Sequence, residues 1–386
     1  MRLAALPPIL IGLLLTACAP DEQDTRSHKM TKTPAQIEEN LAFTCAYEKD
    51  RIPPRDPDAE MLYQHAVWKY KRNLLKEEPP VYPEIERLYR IATAWGHDKA
   101  ANNLAYMIMQ GHTGKSDRIT KPVDIAEDLI ARGIPQGYFI MSVLLEKGYG
   151  VKQDKDASLQ YIRKAADLGN PEAQYYVGEK LTRLTISKPV PYDIGRAMKR
   201  CAADQGHAKA AIETAINLKG RKEYADAVKY FQIATKAGNT SGASFLEEGF
   251  NGPPPDNRMY YMGLEKDEER VARYNKLRKI LRGYDYAGIK VDEIDEIVPL
   301  PPAPLPPWDG ELEWVKKWKK NEAPPLPSNE RITEMALSKG LNPATGLPVK
   351  IDIPKAQLLD PETGKKLETS KETALLLKKM RDAGQV

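Results

Sequence analysis

Cysteine is scarce in this chain: Cys18, Cys45 and Cys201 are the three in 386 residues. With five scattered histidines, no two at metal-ligand spacing on one helix, they form no Cys–His cluster for zinc. An excess of charge of one sign is also missing. Fifty-eight basic against 54 acidic residues leave +4, which over this length does not imply nucleic-acid or polyanion binding. Long apolar runs are lacking too: the stretch after Met1-Arg2 ends at Leu15, short of the ~20 residues that cross a bilayer. Catalytic signatures are missing. There is no nucleophile elbow. Gly114-Lys115-Ser116 has Met109 where a phosphate loop needs its first glycine, so the insert 111–121 reads as a solvated loop. The densest carboxylate run, Asp292, Glu293, Asp295 and Glu296, has no neighbour that would set a catalytic pKa. No cofactor and no metal site are expected.

What the chain has is a period. Gly96, Gly133, Gly169, Gly206 and Gly238 follow one another at 36 or 37 residues and finally 32. Four residues past each glycine the side chain is small (Ala100, Gly137, Ala173, Ala210, Gly242), and eight before it is large and apolar (Leu88, Ile125, Tyr161, Met198, Tyr230). The best-formed unit runs from Leu145 to Ala173. Gly148 and Gly150 break one helix, Asp154 caps the next, Gly169 ends it, Asn170 caps a third and Pro171 takes its first position. Two short helices would meet at the small residues while the large ones fill the space between pairs. Such a unit cannot bury its own face and must stack on its neighbour, which makes a solenoid.

Lys147-Gly-Tyr-Gly-Val and Tyr161-Ile-Arg-Lys-Ala-Ala-Asp-Leu-Gly-Asn-Pro-Glu-Ala173 resemble a Sel-one-like repeat, a relative of the tetratricopeptide repeat. The resemblance covers roughly Pro83 to Gly252 and implies an α/α superhelix that binds proteins without catalysis. The fold expected is all-α: an N-terminal helical cap (34–82), about five repeats (83–252), a Pro-rich, partly irregular C-terminal module (253–340) and a charged tail (341–386). In the cap, a helix over 34–50 would carry Ile37, Leu41, Phe43 and Cys45, and a second, capped by Asp58, would carry Met61 to Leu74. Past Pro253-Pro-Pro255, Asp256 to Arg282 reads as one long charged helix, Pro299 to Pro307 as polyproline, and 311–320, 329–339 and 373–380 as short helices. His97-x-Lys99 and His207-x-Lys209 also match a phospholipase D motif, but Leu104 and Thr214 stand where it needs Asp; the turn-corner reading is preferred.

Leu15-Thr-Ala-Cys18 resembles the bacterial lipobox. It implies a signal peptide (1–17), a lipidated Cys18 and a tether (18–33) holding the protein in the periplasm. Ala19 in place of Asp implies the inner leaflet of the outer membrane. An ordinary cleaved signal with a chance cysteine is the alternative. In an oxidising compartment Cys45 and Cys201 are allowed to pair. However, Cys45 precedes the first repeat and Cys201 lies in the fourth, and solenoid repeats touch only neighbours. The spacing therefore predicts two separate buried or half-buried thiols, far beyond disulfide reach.

The acidic-proline segment and the Trp-rich helix after the repeats resemble a module of proteobacterial immunity lipoproteins that sit beside type VI secretion phospholipase effectors. This resemblance implies a partner, a phospholipase D-like protein effector, a membrane attachment through lipid and no nucleic acid. Inhibition would be steric, with the acidic-proline arm entering a basic cleft. A periplasmic scaffold or adaptor lipoprotein for envelope or secretion assembly is the alternative. Candidate partner contacts on the first helices of the pairs are Tyr89, Trp95, Arg163, Lys164, Lys199, Arg200 and Lys229. Trp308, Trp314 and Trp318 are further candidates, with packing of the C-terminal module onto the repeats as the competing role.

Overall fold

The computed structural model describes residues 42–114, 121–184 and 189–349. Cys18, the signal segment, the tether and the helix expected near 373–380 lie outside the described residues. Within them are fifteen α-helices, and an isolated bridge joins Leu341 to Pro348.

Helix α1 (Pro57–Asn73) opens the array; its cap is Asp56, whose side chain accepts from the Ala59 N–H, and not Asp58. Five pairs follow: α2 (Tyr82–Ala94) with α3 (Asp98–Met109), α4 (Lys121–Ala131) with α5 (Pro135–Lys147), α6 (Lys155–Asp167) with α7 (Pro171–Leu184), α8 (Pro189–Asp204) with α9 (Ala208–Gly220), and α10 (Tyr224–Lys236) with α11 (Thr240–Phe250). Each corner turns on one of the five periodic glycines, all left-handed, with φ between 72° and 105°. The small positions are where helices touch. Ala100, Ala173 and Ala210 are fully buried, and a Cβ on Gly137 would lie 2.6 Å from the Leu129 side chain and 2.7 Å from the Ile130 nitrogen. The large positions Leu88, Ile125, Tyr161, Met198 and Tyr230 are all buried between pairs. The expected all-α solenoid is the observed fold.

Past Gly252 the expected long helix is shorter. Residues 253–267 are turns, and α12 (Glu268–Gly283) starts only at an Asp267 cap. Then come α13 (Ile294–Ile297), the proline segment without regular structure, α14 (Glu313–Lys319) and α15 (Asn329–Leu337). This module does not extend the array; it runs back to its start. Tyr274 of α12 donates to Gln232 of α10 at 2.7 Å. Lys71 of α1 reaches the Gly288 carbonyl at 3.4 Å, and His65 donates to the Pro324 carbonyl at 2.8 Å. Arg331 pairs with Asp58 at 2.7 Å, and Trp95, just past α2, donates to the Met335 carbonyl at 3.0 Å. Ile332, Met335 and Ala336 thus complete the core of the first repeats, while Leu312 and Val315 complete that of the last. Between these two cores, at the waist of the array, lie Ile162, Ala165, Ala166 and Ala173, with Tyr138, Phe139, Tyr176 and Val177 packed against them.

Candidate partner-binding surface

The corners between paired helices carry the polar chemistry. His97 and His207 are helix caps: each Nδ1 accepts the N–H three residues on, of Ala100 and Ala210, at 3.1 Å. An accepting Nδ1 fixes the neutral tautomer, so Nε2 donates, His97 to Glu60 at 2.9 Å and His207 to Glu172 at 3.0 Å. The rings stack on Tyr63 and Tyr175, three residues past those glutamates, at 4.5 and 4.6 Å. The His-x-Lys pattern is a capping device.

At the first corner the charges have consequences. Burial holds His97 below its ordinary value of 6.5, against the pull of Glu60 and Asp98. Burial raises the Glu60 carboxyl, but hydrogen bonds from Gln64 and His97 outweigh it and leave it low. For His97 the unfolded chain binds the proton more readily, so stability falls as pH drops below about 6.5 toward the folded value. Glu60 acts in a separate window, below its ordinary 4.5. Asn170 and Asn239 already cap the equivalent corners, so His97→Asn should keep the cap. We expect a loss of about 1 kcal/mol at pH 8, from the bond to Glu60, and a flatter stability curve between pH 5 and 7. Urea midpoints across that range measure both; a slope unchanged from wild type would refute the assignment.

The N-terminal segment corrects two expectations. Residues 42–47 have no regular secondary structure and 48–50 form one short 3-10 turn, where a helix was expected. This strap crosses the waist along the repeat corners. Arg163 donates to the Ala42 carbonyl at 2.8 Å and Gln174 to that of Ala46 at 2.9 Å, while the Glu48 N–H donates to Gln205 at 2.9 Å. Asn170 donates to Glu48 at 2.8 Å and to Gln136 at 2.9 Å, and Gln136 in turn to Asn102 at 2.7 Å, a ladder joining three corners. The path brings Cys45 to Cys201 with 5.7 Å between their Cα atoms, and they form a disulfide across 156 positions. The expectation of two distant thiols fails because a non-helical segment outside the repeats is free to cross several of them. Gly169 is fitted to it: a Cβ there would meet the Tyr47 carbonyl carbon at 2.6 Å.

Between the strap and the corners lies a groove of about 1100 Å³. Its walls are the strap from Tyr47 to Pro57, the corner residues Lys99, Pro171 and Asp204 to His207, and Lys290 from the returning module. The carboxylates of these walls are engaged: Glu60 with His97, Glu172 with His207, Glu48 with Asn170, and Asp204 accepting from the Tyr230 hydroxyl at 2.6 Å. Burial raises Glu48 above the usual carboxylate range, with the Asn170 bond acting against it. Among the described residues, no ion pair is made by Lys49, Lys99 or Lys290, all exposed; Lys49 lies over the Tyr47 ring at 5.6 Å.

The nominated partner contacts divide. Tyr89 is buried and accepts from Asn103 at 3.1 Å. Trp95 is covered by α15, with Arg331 and Lys339 over its ring. Arg163 is buried against Asp167 and the strap. Lys199 pairs with Glu213 at 2.7 Å and Arg200 donates to the Tyr230 hydroxyl at 3.0 Å; both line a second hollow of about 510 Å³ between α8 and α9. Lys164 and Lys229 are exposed. The tryptophans pack internally: Trp314 stacks on Trp318 at 4.7 Å, Trp318 takes the Arg72 guanidinium on its face at 3.9 Å, and Trp308 donates to the Glu311 carbonyl at 3.0 Å. Sequence reasoning missed the strap groove, because its residues are brought together from five separate stretches; the unexplained Cys45 was the one signal.

No curated protein matches the chain. A family model for the Sel1 repeat matches residues 98–119, 135–170 and 215–239, and one for a domain of unknown function, DUF6396, matches 242–349. The second match begins inside α11, which packs on both α10 and α12 and so belongs to repeat and module alike. Among solved structures, the chain is similar to immunity protein PA5088 from Pseudomonas aeruginosa, 29% identical over 68% of this chain and 95% of that one, with a TM-score of 0.50. Protein PA5086 from the same organism is 31% identical over 68% and 96%, with a TM-score of 0.49. With the periodic corners and the matched segments, the chain carries Sel1 repeats.

Proposed function

We propose that this chain is an immunity protein that binds and neutralises a cognate antibacterial effector. The observation that carries the reading is the similarity to immunity protein PA5088 along nearly that whole chain. A rigid closed array, with its polar groups spent on caps and ladders, suits steric occlusion better than catalysis. In finer detail, the effector is a phospholipase D-type enzyme delivered by type VI secretion. The protein meets it in the periplasm, tethered through a lipid on Cys18 to the inner leaflet of the outer membrane. The lipobox-like Leu15–Cys18 supports the anchor, and the Cys45–Cys201 disulfide supports an oxidising compartment. In the acidic-proline arm, Asp292 and Glu296 stay exposed while the apolar residues face inward. Ile294, Ile297 and Val298 are buried against the repeats, and Asp295 pairs with Lys236 at 2.9 Å.

The test is protection. Cells lacking the gene should become sensitive to the toxin encoded beside it, and the soluble chain from Ala19 onward should form a complex with that toxin. Unchanged sensitivity together with no complex would overturn the reading and leave the scaffold alternative.

A further inference from the structure

In four of the five pairs the residue six before the corner glycine is an arginine or a glutamine: Arg90, Arg163, Arg200 and Gln232. Across three of these an irregular piece of the chain is laid. Arg163 donates to the Ala42 carbonyl of the strap at 2.8 Å, and Gln232 to the Val298 carbonyl of the returning module at 3.0 Å. The turn at 343–346 closes over Arg90: a Cβ on Gly346 would lie 2.9 Å from that of Arg90, and Arg87 donates to the Pro343 carbonyl at 2.6 Å. Arg90, Arg163 and Gln232 are all buried. Arg200 holds the same place on α8, between the strap on α6 and the module on α10. No described segment covers it, and its side chain is 49% exposed. Resting on the immunity reading, we infer that the hollow beside Arg200, between α8 and α9, is a docking site, and that its occupant is an extended, uncharged segment of the effector that continues this row.

The lining of the hollow selects that class of guest. Its charges are balanced and spent within the fold: Lys199 on Glu213 at 2.7 Å, Arg196 on Asp193 at 3.2 Å, and Arg200 on the Tyr230 hydroxyl at 3.0 Å with Asp226 at 3.7 Å. A charged guest would give up its hydration for no net counter-charge. Between these pairs lie Tyr192, Ala197 and Ile216, and Ile216 is 46% exposed. Thr214, in the same lining, is 9% exposed, and its hydroxyl is buried with no hydrogen-bond partner among the described residues. A peptide group can donate to that hydroxyl or accept from it, which removes the penalty of leaving it unmet. A guest backbone with one apolar side chain thus finds a guanidinium of the kind that reads carbonyls elsewhere in the row, an unpaired hydroxyl and an apolar wall. The site is also pre-organised. Cys201, next to Arg200 on α8, is bonded to the strap, so docking orders little that is not already fixed.

The experiment measures binding of the full mature chain to the toxin encoded beside the gene, in a catalytically inactive form. Ile216→Asn is compared with Leu159→Asn, which removes an equally exposed apolar side chain from α6, outside the hollow. Both positions are open, so both variants should melt within a few degrees of wild type. Ile216→Asn should bind about 30-fold more weakly, the size of a central interface contact, and Leu159→Asn within a few-fold of wild type. Arg200→Ala should also weaken binding. Arg200→Gln keeps a donor, as Gln232 does in the fifth pair, and should recover much of it, with differences that persist at high salt. Equal binding by the two asparagine variants overturns the inference and leaves the immunity reading standing. No binding by wild type overturns that reading and the inference with it. Arg200→Gln no better than Arg200→Ala, with differences that vanish in salt, would mean a charged guest and overturn the inference. If Ile216→Asn dissociates a dimer of the free protein, the occupant is a second copy and the inference falls.

Discussion

Reducing the Cys45–Cys201 disulfide, or replacing either cysteine by serine, is expected to be among the most destabilising small changes available in this protein. The bond closes a loop of 156 positions, for which chain entropy assigns about 5 kcal/mol at 25 °C. Beyond that bond the strap is held by polar contacts, with the Arg55–Asp98 ion pair at 2.6 Å near its downstream end. Its contacts to Arg163, Gln174, Gln205 and Asn170 are hydrogen bonds, each worth about 1 kcal/mol net. The two larger cores meet there across Ile162, three alanines and the partly buried Tyr138, Phe139, Tyr176 and Val177, and the strap with its bond ties over this junction. Cys45→Ser, Cys201→Ser and the double variant should therefore lose the same stability, because each removes one and the same link. Urea denaturation with and without reductant measures the loss. Limited proteolysis shows where it falls: cleavage should appear first between residues 42 and 56. Midpoints that do not move on reduction would mean that the hydrogen bonds alone carry the strap.

The repeats were legible because a solenoid writes its packing into the sequence at a fixed interval. Gly137 and Gly242 stand where a Cβ would strike the preceding helix, and the same constraint returns at Ala100, Ala173 and Ala210. The strap was not legible, because nothing in it is periodic. Its path is set by carbonyls meeting Arg163 and Gln174, residues that read as ordinary helix-surface groups. The same holds for Trp95, which looks like an interface anchor and is one, but for the chain's own α15. Nearest-neighbour reasoning, sound for the repeats themselves, fails for segments outside the period, which are free to cross several units. The corner histidines lie between these cases. Their capping role follows from position, whereas the bonds to Glu60 and Glu172 needed the stacked geometry.

The second large effect is expected at Trp318, where the returning module meets the first helix. The indole is 7% exposed, lies between Trp314 and the Arg72 guanidinium, and its carbonyl accepts from Arg72 as well. Trp318→Ala removes a buried aromatic and should cost about 3–5 kcal/mol. It also releases α14 from α1, and the chain downstream, including Arg331 on Asp58 and Met335 under Trp95, then depends on α15 alone. Protease sensitivity around the proline-rich link 323–327 should rise accordingly, while the Cys45–Cys201 bond persists. Arg72→Ala should cost less, since Trp318 keeps its contact with Trp314. The double variant should fall short of the sum of the singles by about 1–2 kcal/mol, the coupling of a desolvated cation on an aromatic face. Trp318→Phe, which keeps a ring but less of its area, should recover part of the stability. Additive single effects would show that ring and guanidinium are neighbours without being partners. An unchanged melting temperature for Trp318→Ala would show that the closure of the module onto α1 contributes nothing to the fold.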